Sequence, residues 1–192
     1  FWYNIWNLLF VKHFLLLFTL IFNQQVLFSQ QFYTDKGMTK FDGSKAAFEP
    51  IKASNNNTVS IIDSSDGQIA AVILISEFDF RLGLMQEHFN ENYLESNVYP
   101  KSTFEGQIKN FSLEELNQNF KEHEIEGVLT IKGVNNDITT KAKIRKIDEK
   151  IELTSGFSVM LSDYKVKIPK IVFKKIDEEV KISLNFTYDK KQ

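Results

Sequence analysis

The chain has 192 residues, a formal net charge of −2 and 25% charged side chains, which predicts one domain and provides no basic field for nucleic acid. Cysteine is absent, which excludes disulfides, thiol catalysis, cysteine-based zinc sites and the lipidated cysteine of a bacterial lipoprotein. Both tryptophans, Trp2 and Trp6, fall at the extreme N-terminus, so the folded part is expected to contain none.

The first 29 residues resemble a signal peptide. A lysine and a histidine precede the apolar run Phe14–Phe22, which as a helix would span roughly 14 Å, well short of the ~30 Å hydrocarbon core of a bilayer. Ser29 suits the last position before cleavage, so a mature domain is expected over residues 30–192. The predicted location is therefore periplasmic or secreted, and the alternative is a short anchor that stays uncleaved.

The segment before the first predicted helix is typical of strands. Lys36–Phe41 predicts an irregular first strand, and the run Asn55–Asn57 predicts a loop. Val59–Asp63 and Ile69–Phe80 are predicted strands, and the Asp66–Gly67 pair between them predicts a hairpin. The first half of the second strand is nearly all apolar, which indicates either burial on both faces or a bend.

One helix is predicted after Phe80. Met85, Phe89 and Tyr93 recur at every fourth position and form a narrow apolar stripe, and Pro100 lies beyond the end of the pattern. The stripe must dock on something apolar. The stripe either packs against a sheet as part of an ordinary core or forms one side of a ligand cavity.

The rest of the chain alternates between apolar and polar residues. Further strands are predicted at 101–109, 125–131, 138–145, 151–161, 168–176 and 180–188, with turns at 135–137, 148–149 and 177–179. Ser112–Phe120 predicts a helical turn with a capping box formed by Ser112 and Glu115. Eight or nine strands with one apolar face each favour closure into an antiparallel barrel over a sandwich, because the longest strands exceed what a compact sandwich needs. The predicted class is all-β with one inserted helix.

The inward faces of these strands carry large apolar side chains. The inward positions are Phe104, Ile108, Ile125, Leu129, Ile131, Phe157, Val159, Leu184 and Phe186. Gly106, Gly127 and Ser155 lie among them and occupy little volume. Two interpretations remain open: the small residues leave an apolar cavity, or they mark strand bends in a filled interior.

The sequence contains few candidate catalytic residues. His88 and His123 belong to no metal-binding pattern, and no nucleotide-binding or nucleophile motif is present. A small-molecule isomerase or cyclase on the same barrel would need His88 or a buried carboxylate, for which Glu77 is the best candidate. No cofactor, metal or catalytic residue is predicted.

Three stretches resemble the YceI-like lipid/polyisoprenoid-binding family, and the helix is similar to that of secreted forms from Bacteroidetes-type bacteria. They are LMQEHFNENYLESNVYPKSTFEGQI (Leu84–Ile108), GVLTIKGV (Gly127–Val134) and DYKVKIPKIV (Asp163–Val172). The resemblance extends from about Phe32 to Tyr188. It implies an extended, lipocalin-like barrel of about eight strands with a helix packed on it, a long apolar tunnel for an isoprenoid or similar amphiphile, a periplasmic location and no shared catalytic residue.

The resemblance and the alternation together predict a lipid carrier that is not an enzyme. The predicted ligand contacts are Phe78, Phe80, Met85, Phe89, Tyr93, Phe104, Leu129, Ile131, Phe157, Val159 and Phe186. The predicted partner is an isoprenoid or other long-chain lipid, with transient membrane contact and a homodimer through an exposed strand edge as further expectations. A surface interaction module with a filled core is the alternative function, ahead of the isomerase or cyclase.

Overall fold

The computed structural model describes residues 30–45, 48–169 and 175–191. The predicted signal peptide lies outside the described residues, as does most of the strand predicted at 168–176, whose first two residues are not in a strand. The strands are β1 Gln31–Ser44, β2 Lys52–Asp63, β3 Gln68–Leu74, β4 Asp79–Phe80, β5 Lys101–Ile108, β6 Lys121–Ile131, β7 Val134–Ile147, β8 Lys150–Met160 and β9 Ile176–Lys190, and the helix is α1, Gly83–His88.

The strands form a closed antiparallel barrel, as predicted. Neighbours follow the order β1-β9-β8-β7-β6-β5-β3-β2, and pairing of β1 with β2 closes the ring. Strand β4 pairs with β2 beyond the end of β3, so β3 and β4 together serve as one interrupted strand of an eight-stranded barrel. Each of these eight strands pairs with a neighbour on both sides over at least part of its length. Residues 134–141 of β7 pair only with β6, and residues 156–160 of β8 pair only with β9.

A bend interrupts the strand predicted over Ile69–Phe80. Strand β3 ends at Leu74, and a 3-10 turn over Ile75–Glu77 precedes β4. The Ile75 side chain is buried and its N–H donates to the carbonyl of Pro100. The bend begins only at the last residue of the apolar run Ile69–Ile75, so it does not explain the run. Burial on both faces does not explain it either, because Val72 and Leu74 are exposed.

The three asparagines predicted as a loop lie inside β2. Asn55 is completely buried, its Nδ2 donates to the carbonyl of Leu74, and its Oδ1 accepts the N–H of Asn57. The register between β1 and β2 shifts at this point, which is the geometry of a β-bulge. A buried amide is tolerated because both of its polar atoms are paired.

Two predicted turns are wrong. The β6–β7 hairpin turns at Lys132 and Gly133, whose φ angles are 50° and 71°, and residues 135–137 are paired within β7. Residues 177–179 lie within β9. A two-residue turn with positive φ at both positions matches the right-handed twist of the flanking strands, so backbone twist outweighed the turn preference of asparagine and aspartate. The turn predicted at 148–149 is confirmed.

The predicted helix has a second, wider part. After α1, residues Phe89–Tyr93 form a π-helical turn, in which the N–H of Leu94 donates to the carbonyl of Phe89 over 2.9 Å. The wider turn brings the buried Leu94 to the barrel side of the helix together with the stripe. Met85, Phe89 and Tyr93 pack on buried apolar side chains, so the prediction that the stripe docks on an apolar surface is confirmed.

The capping box is absent from the segment between β5 and β6. Only Leu113–Glu115 forms a 3-10 turn, and Ser112 makes no side-chain capping bond. The Glu115 carboxylate instead pairs with Lys121 at 2.6 Å. The apolar residues of this segment, Phe111, Leu113 and Leu116, cover one end of the barrel.

That end of the barrel is filled by a close-packed cluster, called the plug below. It comprises Phe32, Ile62, Ile69, Ile108, Leu116, Ile125, Ala142, Ile144, Ile151, Leu153, Phe186 and Tyr188. The Tyr188 hydroxyl and the Ser60 hydroxyl share a 2.9 Å hydrogen bond inside it, and Ser60 also donates to the carbonyl of Ala70. The plug leaves the opposite half of the barrel, beneath α1, for the cavity.

Candidate ligand-binding cavity

A cavity of about 510 Å³ occupies the barrel between the plug and α1. Its wall consists mostly of aliphatic and aromatic side chains contributed by the barrel strands and α1. All eleven predicted contact residues line it: Phe78, Phe80, Met85, Phe89, Tyr93, Phe104, Leu129, Ile131, Phe157, Val159 and Phe186. Their contact with a ligand stays a prediction, but the filled-core interpretation lacks the filled interior that it requires.

Four phenylalanine rings pack together where the helix meets the barrel. Phe41 stacks on Phe89 with ring centroids 5.3 Å apart, and Phe78 and Phe80 each contact both of these rings edge-on or tilted, at 5.0–5.6 Å. Such pairs contribute roughly 0.5–1.5 kcal/mol beyond burial, so the cluster fixes α1 on the barrel. The sequence prediction omitted Phe41, although it alternates with Thr39 and Gly43 on the inner face of β1.

Six side chains form the cavity floor, because they belong to both the wall and the packed plug region. They are Ile69, Phe104, Ile125, Leu153, Leu184 and Phe186. A Cβ placed on Gly106 would lie 2.6 Å from Cζ of Phe104, and one placed on Gly37 would lie 2.6 Å from Cδ1 of Phe186. The space beside Gly106 is therefore filled by a floor ring, which corrects the interpretation that this small residue leaves the cavity.

The wall also carries hydroxyl groups that the sequence prediction did not select. Thr39 and Thr58 hydrogen-bond each other at 2.8 Å, and the Ser155 hydroxyl donates to the carbonyl of Lys141. Ser102 is buried on the wall, and within the described residues its hydroxyl has no partner. A ligand oxygen beside Ser102 would gain a hydrogen bond, whereas the hydroxyls of Thr39, Thr58 and Ser155 are already paired. In the sequence, these serines and threonines could have been identified by their positions on the inward faces of the strands.

Two tyrosines of the wall stay neutral over the ordinary pH range. Burial raises the pKa of the Tyr93 phenol, and burial is also the main cause of the raised pKa of Tyr164. Because both phenols are neutral, they add no negative charge to the wall, which suits contact with an apolar tail.

The cavity opens beside α1. Leu82, Leu84 and His88 are exposed lining residues on the helix side, and Glu49 and Lys175 are exposed lining residues opposite. We call these five residues the mouth. Among these five described residues are one carboxylate, one ammonium and one imidazole, so their charges alone favour neither an anionic nor a cationic head group.

The other candidates for chemistry lie outside this cavity. Glu77 is exposed and does not line it, so the carboxylate favoured for an isomerase or cyclase is misplaced. His123 packs against Phe111 at the plug end, with Nδ1 3.3 Å from the carbonyl of Lys109. The described residues contain no group of three or more histidines and carboxylates placed to hold a metal ion.

One known family model matches most of the chain. The profile of the YceI-like domain matches residues 28–188. The chain belongs to the YceI-like family. A search of curated proteins found no match. Within the described residues, no helix is long and apolar enough to cross a membrane.

Solved structures share the fold of this YceI-like chain at low identity. A polyisoprenoid binding domain from Saccharophagus degradans, implicated in plant cell wall breakdown, has a TM-score of 0.74 at 13% identity, over 85% of this chain and 99% of that one. BcnA from Burkholderia cenocepacia has a TM-score of 0.64 at 15% identity, over 78% and 95%. The YceI protein of Campylobacter jejuni has a TM-score of 0.58 at 17% identity, over 77% and 89%.

Proposed function

We propose that this YceI-like protein is a carrier that holds an amphiphilic lipid, an isoprenoid or a similar long-chain molecule, with its apolar tail inside the barrel. The observation that carries the proposal is the apolar cavity of about 510 Å³ between the plug and α1. A pocket of this size is within the range of small-molecule sites, and its wall offers mostly dispersion contacts and removal of water. The polyisoprenoid-binding neighbour supports the same ligand class.

The role proposed for the carrier is to shield an insoluble tail from water in the periplasm or outside the cell. The signal-like N-terminal segment supports this location. The wall selects for a hydrophobic tail, and the mouth, with both charges present, is tolerant of the head group. The neighbour from Saccharophagus degradans is described as a binding domain, so we propose binding and no reaction.

Loading is proposed to occur by brief contact of the mouth with a membrane. Leu84 is 63% exposed and Leu82 is 39% exposed, and both also line the cavity. These side chains can enter the acyl region while the cavity opens beside them, so a tail could move between membrane and barrel without crossing water. Leu84→Asp should slow lipid transfer from vesicles while leaving the lipid capacity of the cavity unchanged. The outward Val128→Asp provides a control of similar chemistry on the barrel surface.

A homodimer through an exposed strand edge stays a prediction, and β1 and β2 do not supply that edge where they pair with each other. Light scattering of the purified protein would test it directly.

The test of the carrier function is native mass spectrometry of protein purified gently from its native compartment, followed by solvent extraction and lipid analysis. A stoichiometric adduct that dissociates into a lipid with a long apolar tail is the expected result. A protein without adduct, which also binds no added prenol or fatty alcohol, would refute the carrier function.

A further inference from the structure

We propose that the floor of the cavity, formed chiefly by Phe104 and Phe186, acts as a ruler that limits the bound tail to about four isoprene units, roughly 20 carbons. This inference rests on the proposed carrier function and specifies which lipids the barrel accepts. It differs from the long tunnel that the family resemblance implies, because the cavity ends partway along the barrel.

The first argument is volume. A protein cavity of about 150 Å³ accommodates benzene, with six carbons. In the same proportion, the cavity of about 510 Å³ accommodates roughly 20 carbons. A tail with twice that number of carbons would have to leave half of its length outside the barrel, in contact with water.

The second argument is depth. Along β9 the inward residues Val180, Ile182, Leu184 and Phe186 line the cavity, whereas the next inward residue, Tyr188, is completely buried in the plug. At a rise of about 3.3 Å per residue and a tilt of about 40°, that lining extends roughly 15 Å along the barrel axis. An extended carbon chain advances about 1.2 Å per bond, so a depth of roughly 15 Å accommodates about 13 chain carbons in a straight line. The roughly 20 carbons that the volume allows therefore fit only in a bent tail, and a longer tail meets the floor.

The third argument is that the floor rings cannot easily move aside. The ring of Phe104 covers both Gly106 and Gly127, since a Cβ on either would lie 2.6–2.8 Å from its Cζ. The ring of Phe186 lies on Gly37 and contacts Tyr188 edge-on at 6.1 Å. On the side away from the cavity both rings rest on backbone glycines beside the close-packed plug, so they cannot move deeper to lengthen the cavity.

The experiment is a competition among prenols of increasing length, using an equimolar mixture of geraniol, farnesol, geranylgeraniol and solanesol with the delipidated full mature protein. Adducts are quantified by native mass spectrometry. The expected result is a maximum at geranylgeraniol, with solanesol at least tenfold less abundant.

Two variants move the floor in opposite directions. Phe104→Ala removes a ring, which frees space for about six carbons or one isoprene unit, and should shift the preference toward longer prenols. Leu184→Phe raises the floor and should shift it to farnesol. If Phe104→Ala does not fold, Leu184→Phe still tests the ruler from the other side. Phe120→Ala is the matched control, because Phe120 is 43% exposed and does not line the cavity.

The outcomes separate the two proposals. Equal binding of every prenol by the wild-type protein, or a preference unchanged in both folded floor variants, would overturn the ruler and leave the carrier function standing. Absence of any prenol adduct, together with absence of a straight-chain lipid adduct, would overturn the carrier function and the ruler with it.

Discussion

Phe157→Trp is a direct test of the cavity as the binding site. Phe157 lies on β8 opposite Ile182 of β9 and lines the cavity between the floor and the mouth. It is half-buried on the cavity wall, so we expect a larger side chain here to extend into the space that a ligand would fill. Indole has three more non-hydrogen atoms than phenyl, and these atoms displace a similar number of ligand carbons.

The expected loss of affinity follows from the apolar contacts removed. At about 0.8 kcal/mol per buried CH₂ group, displacing three carbons costs roughly 2.4 kcal/mol. That corresponds to a dissociation constant about 50-fold higher for a tail that fills the cavity. A short tail that leaves the Phe157 region empty should lose much less, so the effect is expected to increase with tail length.

The assay is displacement of a bound prenol, measured by native mass spectrometry in the wild-type and variant proteins. In Phe157→Trp the introduced indole is a second reporter of the ligand, since the mature wild-type chain is expected to contain no tryptophan. Phe120→Trp is the matched control, because Phe120 lies on the outer surface beneath the Arg145 guanidinium, 4.2 Å from its ring centroid. Affinity unchanged in Phe157→Trp, with an unchanged thermal midpoint, would refute the assignment of this wall to the ligand. Overpacking without ligand involvement would instead lower stability by about 1–3 kcal/mol.

Three further predictions concern the barrel itself. Burial raises the pKa of the Tyr188 phenol above its ordinary value of about 10. The protonated phenol therefore contributes fully to the free energy of unfolding below about pH 10, and above it the contribution decreases by about 1.4 kcal/mol per pH unit. Denaturant titrations across this range should show that Tyr188→Phe removes this pH-dependent component. The substitution also costs about 1 kcal/mol for the hydrogen bond to Ser60. Gly133→Ala should destabilise the hairpin by about 1–2 kcal/mol, because φ is 71° there, whereas Gly83→Ala, with no atom near the added Cβ, should be neutral or stabilising in the same melting assay. Ser102→Ala should change the free energy of unfolding by less than about 0.5 kcal/mol, because the hydroxyl has no partner to lose within the described residues; a larger loss in chemical denaturation would show that the hydroxyl is paired.

The alternation of apolar and polar residues was sufficient to predict the barrel. Side chains on successive strand residues point to opposite faces, so inward residues such as Leu129 and Phe157 could be identified without any knowledge of their partners. The apolar stripe of the helix could also be predicted, because Met85 and Phe89 lie one helical turn apart. The family resemblance pointed to the same barrel and implied a lipid ligand.

Features that depend on distant partners could not be predicted from the sequence. Asn55 suits a loop until the carbonyl of Leu74, 19 residues away, accepts its amide hydrogen. Lys132 is an unusual residue for a turn, and its positive φ follows from the twist of the two paired strands.

The boundary of the cavity was likewise decided only by tertiary structure. The sequence shows Gly106 and Gly127 as small inward residues, which suggests empty space. The fold places the Phe104 ring over both of them, so the space at the glycines is filled and the cavity begins above the ring. Periodicity therefore determined which side chains face inward, because it is a local property of strands and helices. The length of tail that the barrel can hold depends on which rings meet across it, and close packing among residues far apart in sequence decides that.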